Sequence, residues 1–311
     1  GKLDVEPLGW DLRKCITKHH LQAIIVTTPG AVAIAFRGTA NWENLRVDMR
    51  LGRQGTSLGL LTATTHPLRR PCCCIKGKVK VHRGMGRAYG LLRADVLAEL
   101  DRAYSERQEK DKVRPILYFT GHSLGGALAM LCAYDVMSDF HKKRLDPVVR
   151  CYTFGAPRVG NTAFSALYNM TVPETYRICN ESDIVTRSPP AMSLCGGTYH
   201  HAGHGVLVDS RGNLLVSPQV VERIFSPTAG AVFTAHLLTE YKKSIDSVCQ
   251  YFGLHLRCQT EFQPHGPPSA PPSPIHLRGP PWHVPAGWPP QTRRQPSSDA
   301  GPANLPHSRS G

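Results

Sequence analysis

The chain has 311 residues, 41% of them hydrophobic and 19% charged, with 37 Lys and Arg against 23 Asp and Glu, a net charge of +14. That length allows one large domain or two small ones. No stretch approaches the apolar length of a membrane span, and the ten cysteines show no C-x-x-C or zinc-finger pattern, which sets aside a helical membrane protein and a zinc-finger module.

Taken in chain order, the first legible element is Ala31-Val32-Ala33-Ile34-Ala35-Phe36, a buried-type strand that ends in Arg37-Gly38-Thr39. The loop after such a strand can supply one backbone N–H to an oxyanion hole, and the Thr39 hydroxyl can add a donor. From Ala40 to Met49 a short helix is expected. Trp42, Leu45 and Met49 recur at spacings of three and four and share one face, while Glu43, Arg46 and Arg50 occupy others. Directly after an oxyanion residue, a helix of this kind is placed to cover or uncover a cleft, although a helix packed on a core would carry the same pattern. Residues 52–80 form a long, irregular connection, with Arg69-Arg70-Pro71-Cys72-Cys73-Cys74 in its middle. Arg46, Arg50, Arg53, Arg69, Arg70, Lys76, Lys78, Lys80, Arg83 and Arg87 crowd this region, where Asp48 is the only acid. Such a cluster attracts nucleic acid or an anionic lipid surface. No nucleic-acid motif or interleaved aromatic platform accompanies it, so lipid is the expected partner, with a merely solvated basic loop as the alternative.

The most informative stretch is Gly121-His122-Ser123-Leu124-Gly125, which follows the apolar run Pro115-Ile116-Leu117-Tyr118-Phe119-Thr120. Leu124 to Met137 then reads as a helix with Ala127, Leu128, Leu131 and Cys132 on one face. A strand turning sharply into a helix at a serine, with glycines where backbones crowd, is a nucleophile elbow. A nucleophilic serine needs an acid and a base, in the chain order Ser, Asp or Glu, His. Asp183 fits the acid, because it lies on a loop just past the strand Thr175 to Cys179. Glu181 sits nearer the strand, and Asp209 belongs to the turn of a hairpin from Val206 to Val216. His236 fits the base, at the head of Ala235-His236-Leu237-Leu238-Thr239-Glu240-Tyr241, a segment expected to continue as a short helix. His200, His201 and His204 form a rival cluster, but Gly203 and Gly205 break any helix there and no carboxylate or cysteine completes a ligand set, so they read as structural rather than metal-binding. His122 lies inside the elbow and is expected to face away from the role of base. The amide of Leu124 is the second expected oxyanion donor.

Cys132, Cys151 and Cys179 fall on apolar positions and read as core thiols. Cys72 to Cys74 read as reactive loop thiols, with acylation near a membrane as the alternative. Beyond about Phe252 the composition changes: residues 264–311 hold 14 of the 26 prolines, so a disordered tail is expected over residues 256–311. Its Pro-Pro pairs could meet SH3-like or WW-like domains, or it could be an inert solvated tail. The chain opens at Gly1 rather than methionine, so no cellular address is read from it, and a soluble or peripheral protein is expected.

Several motifs in one order give the chain a family resemblance. They are Ala35-Phe36-Arg37-Gly38-Thr39, Val81-His82-Arg83-Gly84-Met85, Gly121 to Ala129 and Thr153-Phe154-Gly155-Ala156-Pro157-Arg158-Val159-Gly160-Asn161, then Tyr176-Arg177 through Asp183 to Pro189, Tyr199-His200-His201-Ala202-Gly203, and His236 with Tyr241. With these the chain resembles the class 3, fungal-type triacylglycerol lipases. The resemblance implies an α/β-hydrolase with a mostly parallel central sheet flanked by helices, spanning residues 1–255. It puts the nucleophile on Ser123, the acid on Asp183, the base on His236, and the oxyanion hole on Thr39 with the amide of Leu124. It also implies a lid over residues 40–50, with Trp42 and Leu45 on its apolar face, Asn44 as a lid residue and Asp48 holding Thr39. Met85 stands where the family usually has phenylalanine. No cofactor or metal is implied. The expected function is hydrolysis of acyl esters of glycerolipids, at an anionic membrane or lipid-droplet surface and without nucleic acid. The alternatives are a phospholipase A1-type or galactolipid acyl hydrolase, and a non-catalytic scaffold on the same fold.

Overall fold

The computed structural model describes residues 9–38, 79–142, 147–190, 199–218 and 232–253, apart from the side chains of residues 141 and 142. Alternating apolar residues build its strands. β1 (Asp11–Lys18), β2 (Leu21–Thr28) and β3 (Ala31–Phe36) form an antiparallel meander. Helix α1 (Arg83–Asp111) comes next, then β4 (Ile116–His122), α2 (Leu124–Lys142), β5 (Val148–Phe154), the short β6 (Gly160–Asn161), α3 (Thr162–Thr171) and β7 (Thr175–Asn180). After a 3₁₀ turn at Val185–Arg187 come β8 (Tyr199–His200), β9 (His204–Val208) and β10 (Leu214–Val216), then a second 3₁₀ turn at Thr234–His236 and α4 (Leu238–Tyr251). Eight strands form one sheet in the order β1-β2-β3-β4-β5-β7-β9-β10, while β6 pairs with β8 apart from it. The pairs from β3 through β9 are all parallel, and the outer pairs are antiparallel.

Register explains the core. Val32 stands beside Leu117, which stands beside Val149, and the next row is Ile34, Phe119 and Cys151. All six are buried on one face, where α2 packs across β3, β4 and β5. Removing each large apolar side chain from water contributes about 1.5–3 kcal/mol. Helix α2 is therefore apolar almost all round, since Ala127 to Ala133 lie between this face and α1. Helix α1 turns Met85, Tyr89, Leu92, Val96, Leu100, Ala103 and Tyr104 inward at spacings of three and four. A buried polar link joins it to α2, where Asp135 accepts from Tyr89 Oη at 2.8 Å and from Arg93 Nε at 2.6 Å. Helix α3 starts at Asn161, whose side chain accepts from the Phe164 amide at 3.0 Å as an N-cap.

The strand expected at Ala31 to Phe36 has those bounds in the structure, and those at Thr175 and Pro115 shift by one or two residues. The elbow helix runs to Lys142, five residues beyond the expected end. Helix α1 has no counterpart among the expected elements. Parallel register has one consequence for function: the C-terminal ends of β3, β4, β5 and β7 meet at a single edge, where Gly38, Ser123, Gly155 and Asp183 follow them.

Candidate active site

Ser123 sits between the last residue of β4 and the first of α2 with φ of +60°, a left-handed backbone that a side chain rarely adopts. Its amide donates to the Phe154 carbonyl at 2.8 Å, which pins the turn to the end of β5. Close packing requires the flanking glycines. A Cβ on Gly121 would collide with the carbonyl group of Gly125, and one on Gly125 would collide with the carbonyl of Phe36. The serine is 1% exposed, and among the described residues its hydroxyl has no hydrogen-bond partner. Leu124 opens α2, so its amide belongs to the first turn, whose N–H groups have no acceptor within the helix. Gly38, after β3, passes so close that a Cβ there would stand 2.7 Å from the His122 carbonyl oxygen and 3.3 Å from Ser123 Cβ.

Next to the elbow lies a buried carboxylate–imidazole pair. His236 Nδ1 donates to Asp183 Oδ2 at 2.6 Å, with the two residues 1% and 0% exposed. A carboxylate only accepts, so Nδ1 carries the hydrogen and Nε2 is the basic nitrogen of the neutral ring. The carboxylate is held from three sides, because Tyr241 Oη donates to the same Oδ2 at 2.7 Å and the Val185 amide donates to Oδ1 at 2.8 Å. Tyr241 Oη in turn accepts from the Asn180 amide at 2.9 Å. Burial, with Cys179 and Asp183 nearby, pushes the Tyr241 hydroxyl well above the ordinary tyrosine range, so it stays protonated and donates. The loop carrying Asp183 is tied to the stretch before His236 by the Val232 amide, which donates to the Ser182 carbonyl at 2.8 Å. This arrangement can take a proton at His236 Nε2, stabilise the imidazolium through Asp183, and present a hydroxyl on a strained turn.

The sequence-expected residues therefore divide. Ser123, Leu124, Asp183 and His236 come together at the C-terminal edge of the sheet. Thr39 and the lid residues Trp42, Asn44, Leu45 and Asp48 lie outside the described residues, as do residues 52–78 and 256–311. The rivals are accounted for elsewhere. Asp209 closes the β9–β10 turn by accepting from the Arg211 and Asn213 amides at 2.9 and 3.0 Å. The Glu181 carboxylate lies 3.9 Å from Arg211. His201 Nε2 donates to the Thr186 carbonyl at 2.8 Å, and the His204 ring lies against Tyr176. His122, not expected to serve as base, has its ring 4.4 Å from that of His236. Three residues escaped sequence reasoning in these positions. Tyr241 clamps the carboxylate, the Phe154 carbonyl holds the elbow, and Gly155 leaves room, since a Cβ there would stand 2.8 Å from both Asp183 Oδ2 and His236 Cε1. Only the Thr153-Phe154-Gly155-Ala156-Pro157 motif and the pairing of His236 with Tyr241 hinted at them, and neither carries a local signal of its purpose.

Comparison with known proteins agrees with this geometry. The family model for lipase (class 3) matches residues 33–193, just over half of the chain. The chain is 33% identical over 145 residues to phospholipase A1-Igamma1 of Arabidopsis thaliana, a match covering 41% of this chain and 28% of that protein. It is 38% identical over 113 residues to a lipase of Rhizomucor miehei, covering 36% and 29%. The matched stretches thus span less than a third of these relatives. Among solved structures, the Rhizomucor miehei lipase propeptide complex superposes with a TM-score of 0.53 at 26% identity, over 67% of this chain and 60% of that one. With its mostly parallel sheet, flanking helices and serine elbow, the fold is that of an α/β-hydrolase, and the chain belongs to the class 3 lipase family.

Proposed function

We propose that the chain is a serine esterase that hydrolyses acyl esters of glycerolipids, triacylglycerols or partial glycerides, through an acyl-enzyme. The observation that carries this reading is the buried Asp183–His236 pair at 2.6 Å, next to a serine held at φ of +60°. In the proposed reaction Ser123 Oγ attacks the ester carbonyl while His236 Nε2 takes its proton. The amide of Leu124 and the Thr39 amide and hydroxyl stabilise the oxyanion; the passage of Gly38 against the elbow supports a role for the loop after β3. His236 hands its proton to the departing glyceride oxygen, then deprotonates the water that releases the fatty acid. Asp183 orients the imidazole throughout and supports its charge. The basic cluster from Arg46 to Arg87 is proposed to favour an anionic lipid surface.

A fluorophosphonate probe tests the chemistry. Wild type should be labelled and Ser123→Ala should not, and Ser123→Ala or Asp183→Asn should cut turnover of p-nitrophenyl butyrate by about 10⁴-fold or more. Full labelling of Ser123→Ala would remove the serine from the mechanism. A second reading, acyl hydrolysis of phospholipids, is favoured by the 33% identity to a phospholipase A1. Triacylglycerol, diacylglycerol, phosphatidylcholine and galactolipid presented side by side decide between them by the ratio of kcat/KM.

A further inference from the structure

Ser123 and His236 lie on separate parts of the chain, 113 residues apart, yet one hydrogen bond ties the elbow to the turn that carries the imidazole. His122, the residue before the serine, directs its Nε2 at the main-chain carbonyl oxygen of His236 at 2.7 Å. A carbonyl only accepts, so the His122 Nε2 carries the hydrogen and donates it. The two imidazoles also pack together, with ring centres 4.4 Å apart and planes at 36°, and Tyr241 meets the His122 ring edge-on at 5.8 Å. His236 lies at the end of a three-residue 3₁₀ turn, Thr234–His236.

From this geometry we infer that His122 is a positioning residue: it holds the backbone of His236 in register with the elbow and so sets the separation of base from nucleophile. The inference rests on the roles proposed above for Ser123 and His236. In the proposed reaction His122 is given no proton to carry. Its partner is the backbone carbonyl of the base, whereas Asp183 and Tyr241 act on the side-chain end. His236 is therefore held at both its ring and its main chain, and the hold on its main chain comes from the residue next to the serine. Burial, with His236 alongside, lowers the His122 pKa to about 4, so near neutrality the donor is an uncharged ring that puts no positive charge beside the base.

Three variants of the full chain test this. His122→Phe keeps an aromatic ring and removes the donor; His122→Gln keeps an N–H; His122→Met approximates the glutamine shape without one. With p-nitrophenyl butyrate, His122→Phe should lower kcat about 10- to 100-fold and leave KM within about twofold, as expected of a base displaced by a fraction of an ångström. Fluorophosphonate labelling should slow in parallel. His122→Gln should recover most of the kcat that His122→Met loses, and this second comparison stands if the phenylalanine variant does not fold. Wild-type kcat in a folded His122→Phe, or equal kcat in the Gln and Met variants, would overturn the inference. Failure of the underlying reading shows separately, as a wild type that the probe does not label or a Ser123→Ala protein that it does.

Discussion

Tyr241 governs how firmly the Asp183 carboxylate is held. It is 1% exposed, donates to the oxygen that His236 also uses, and accepts the Asn180 amide, so it spans the end of β7, the acid loop and α4. Tyr241→Phe keeps the ring but strips the carboxylate of one donor and leaves the Asn180 amide buried without its acceptor. A hydrogen bond to a charged group contributes roughly 1.5–3 kcal/mol, so kcat on a dissolved ester should fall by about 10- to 100-fold with KM unchanged. Thermal unfolding should shift downward as well. A lowered Tm at full kcat would reduce Tyr241 to a packing residue. Residues of this type are hard to read in a sequence because their partners are distant: Tyr241 is 58 positions from Asp183, and no periodicity encodes that contact. Ser123 was readable because its strained turn is local, closed by glycines two residues away on either side.

At the scale of elements, the β9–β10 hairpin shows how a carboxylate can be occupied without chemistry. Asp209 takes the amides of Arg211 and Asn213 on Oδ1, and the side chains of Arg211 and Asn213 on Oδ2 at 3.0 and 2.7 Å. Burial works against its charge, but the bonds from Asn213 and Arg211 outweigh that penalty and hold the carboxyl below its ordinary range. A carboxylate depressed in the fold contributes stability above its unfolded pKa and loses it as pH falls through the folded one. Asp209→Ala should therefore lower stability at neutral pH by roughly 1–3 kcal/mol, and the difference from wild type should narrow in acid. Ester turnover at moderate temperature should stay near wild type. Denaturant melts at two pH values, together with an esterase assay, check both halves; a loss of turnover comparable to that of Asp183→Asn would reopen the choice of acid. The hairpin was legible because an Asp-Ser-Arg-Gly turn sits between two apolar runs. Helix α1 was not, because its inward residues are interrupted by charged ones that only the packed structure resolves: Glu99 and Arg107 are buried, and Glu99 accepts from Arg13 Nε on β1 at 2.7 Å.

Across the whole molecule, charge and topology act separately. A net charge of +14 with a basic cluster that includes Lys80, Arg83 and Arg87 should draw the protein to vesicles containing anionic lipid. The screening length shrinks from about 30 Å at 0.01 M salt to about 3 Å at 1 M, so co-sedimentation with such vesicles should be strong at the low end and lost at the high end. Equal binding to neutral vesicles, or no dependence on salt, would leave the cluster a solvated surface. The sequence by itself determined the features whose physics is short-range: the elbow strand and helix, the β3 strand and the hairpin turn; it also offered Ser123, Asp183 and His236 in the chain order proposed for the triad. It also sufficed for the class 3 lipase resemblance, since that rests on motifs of a few residues each. The tertiary structure alone decided which groups meet. Parallel pairing of β3, β4, β5 and β7 brings four strand ends to one edge, and residues far apart in sequence become hydrogen-bond partners there. In the fold, His122 Nε2 meets the main-chain carbonyl of His236, a Cβ on Gly155 would crowd Asp183 and His236, and Tyr241 donates to the Asp183 carboxylate. Contacts of that kind follow from register and burial summed over the whole sheet, and no local stretch of sequence contains them.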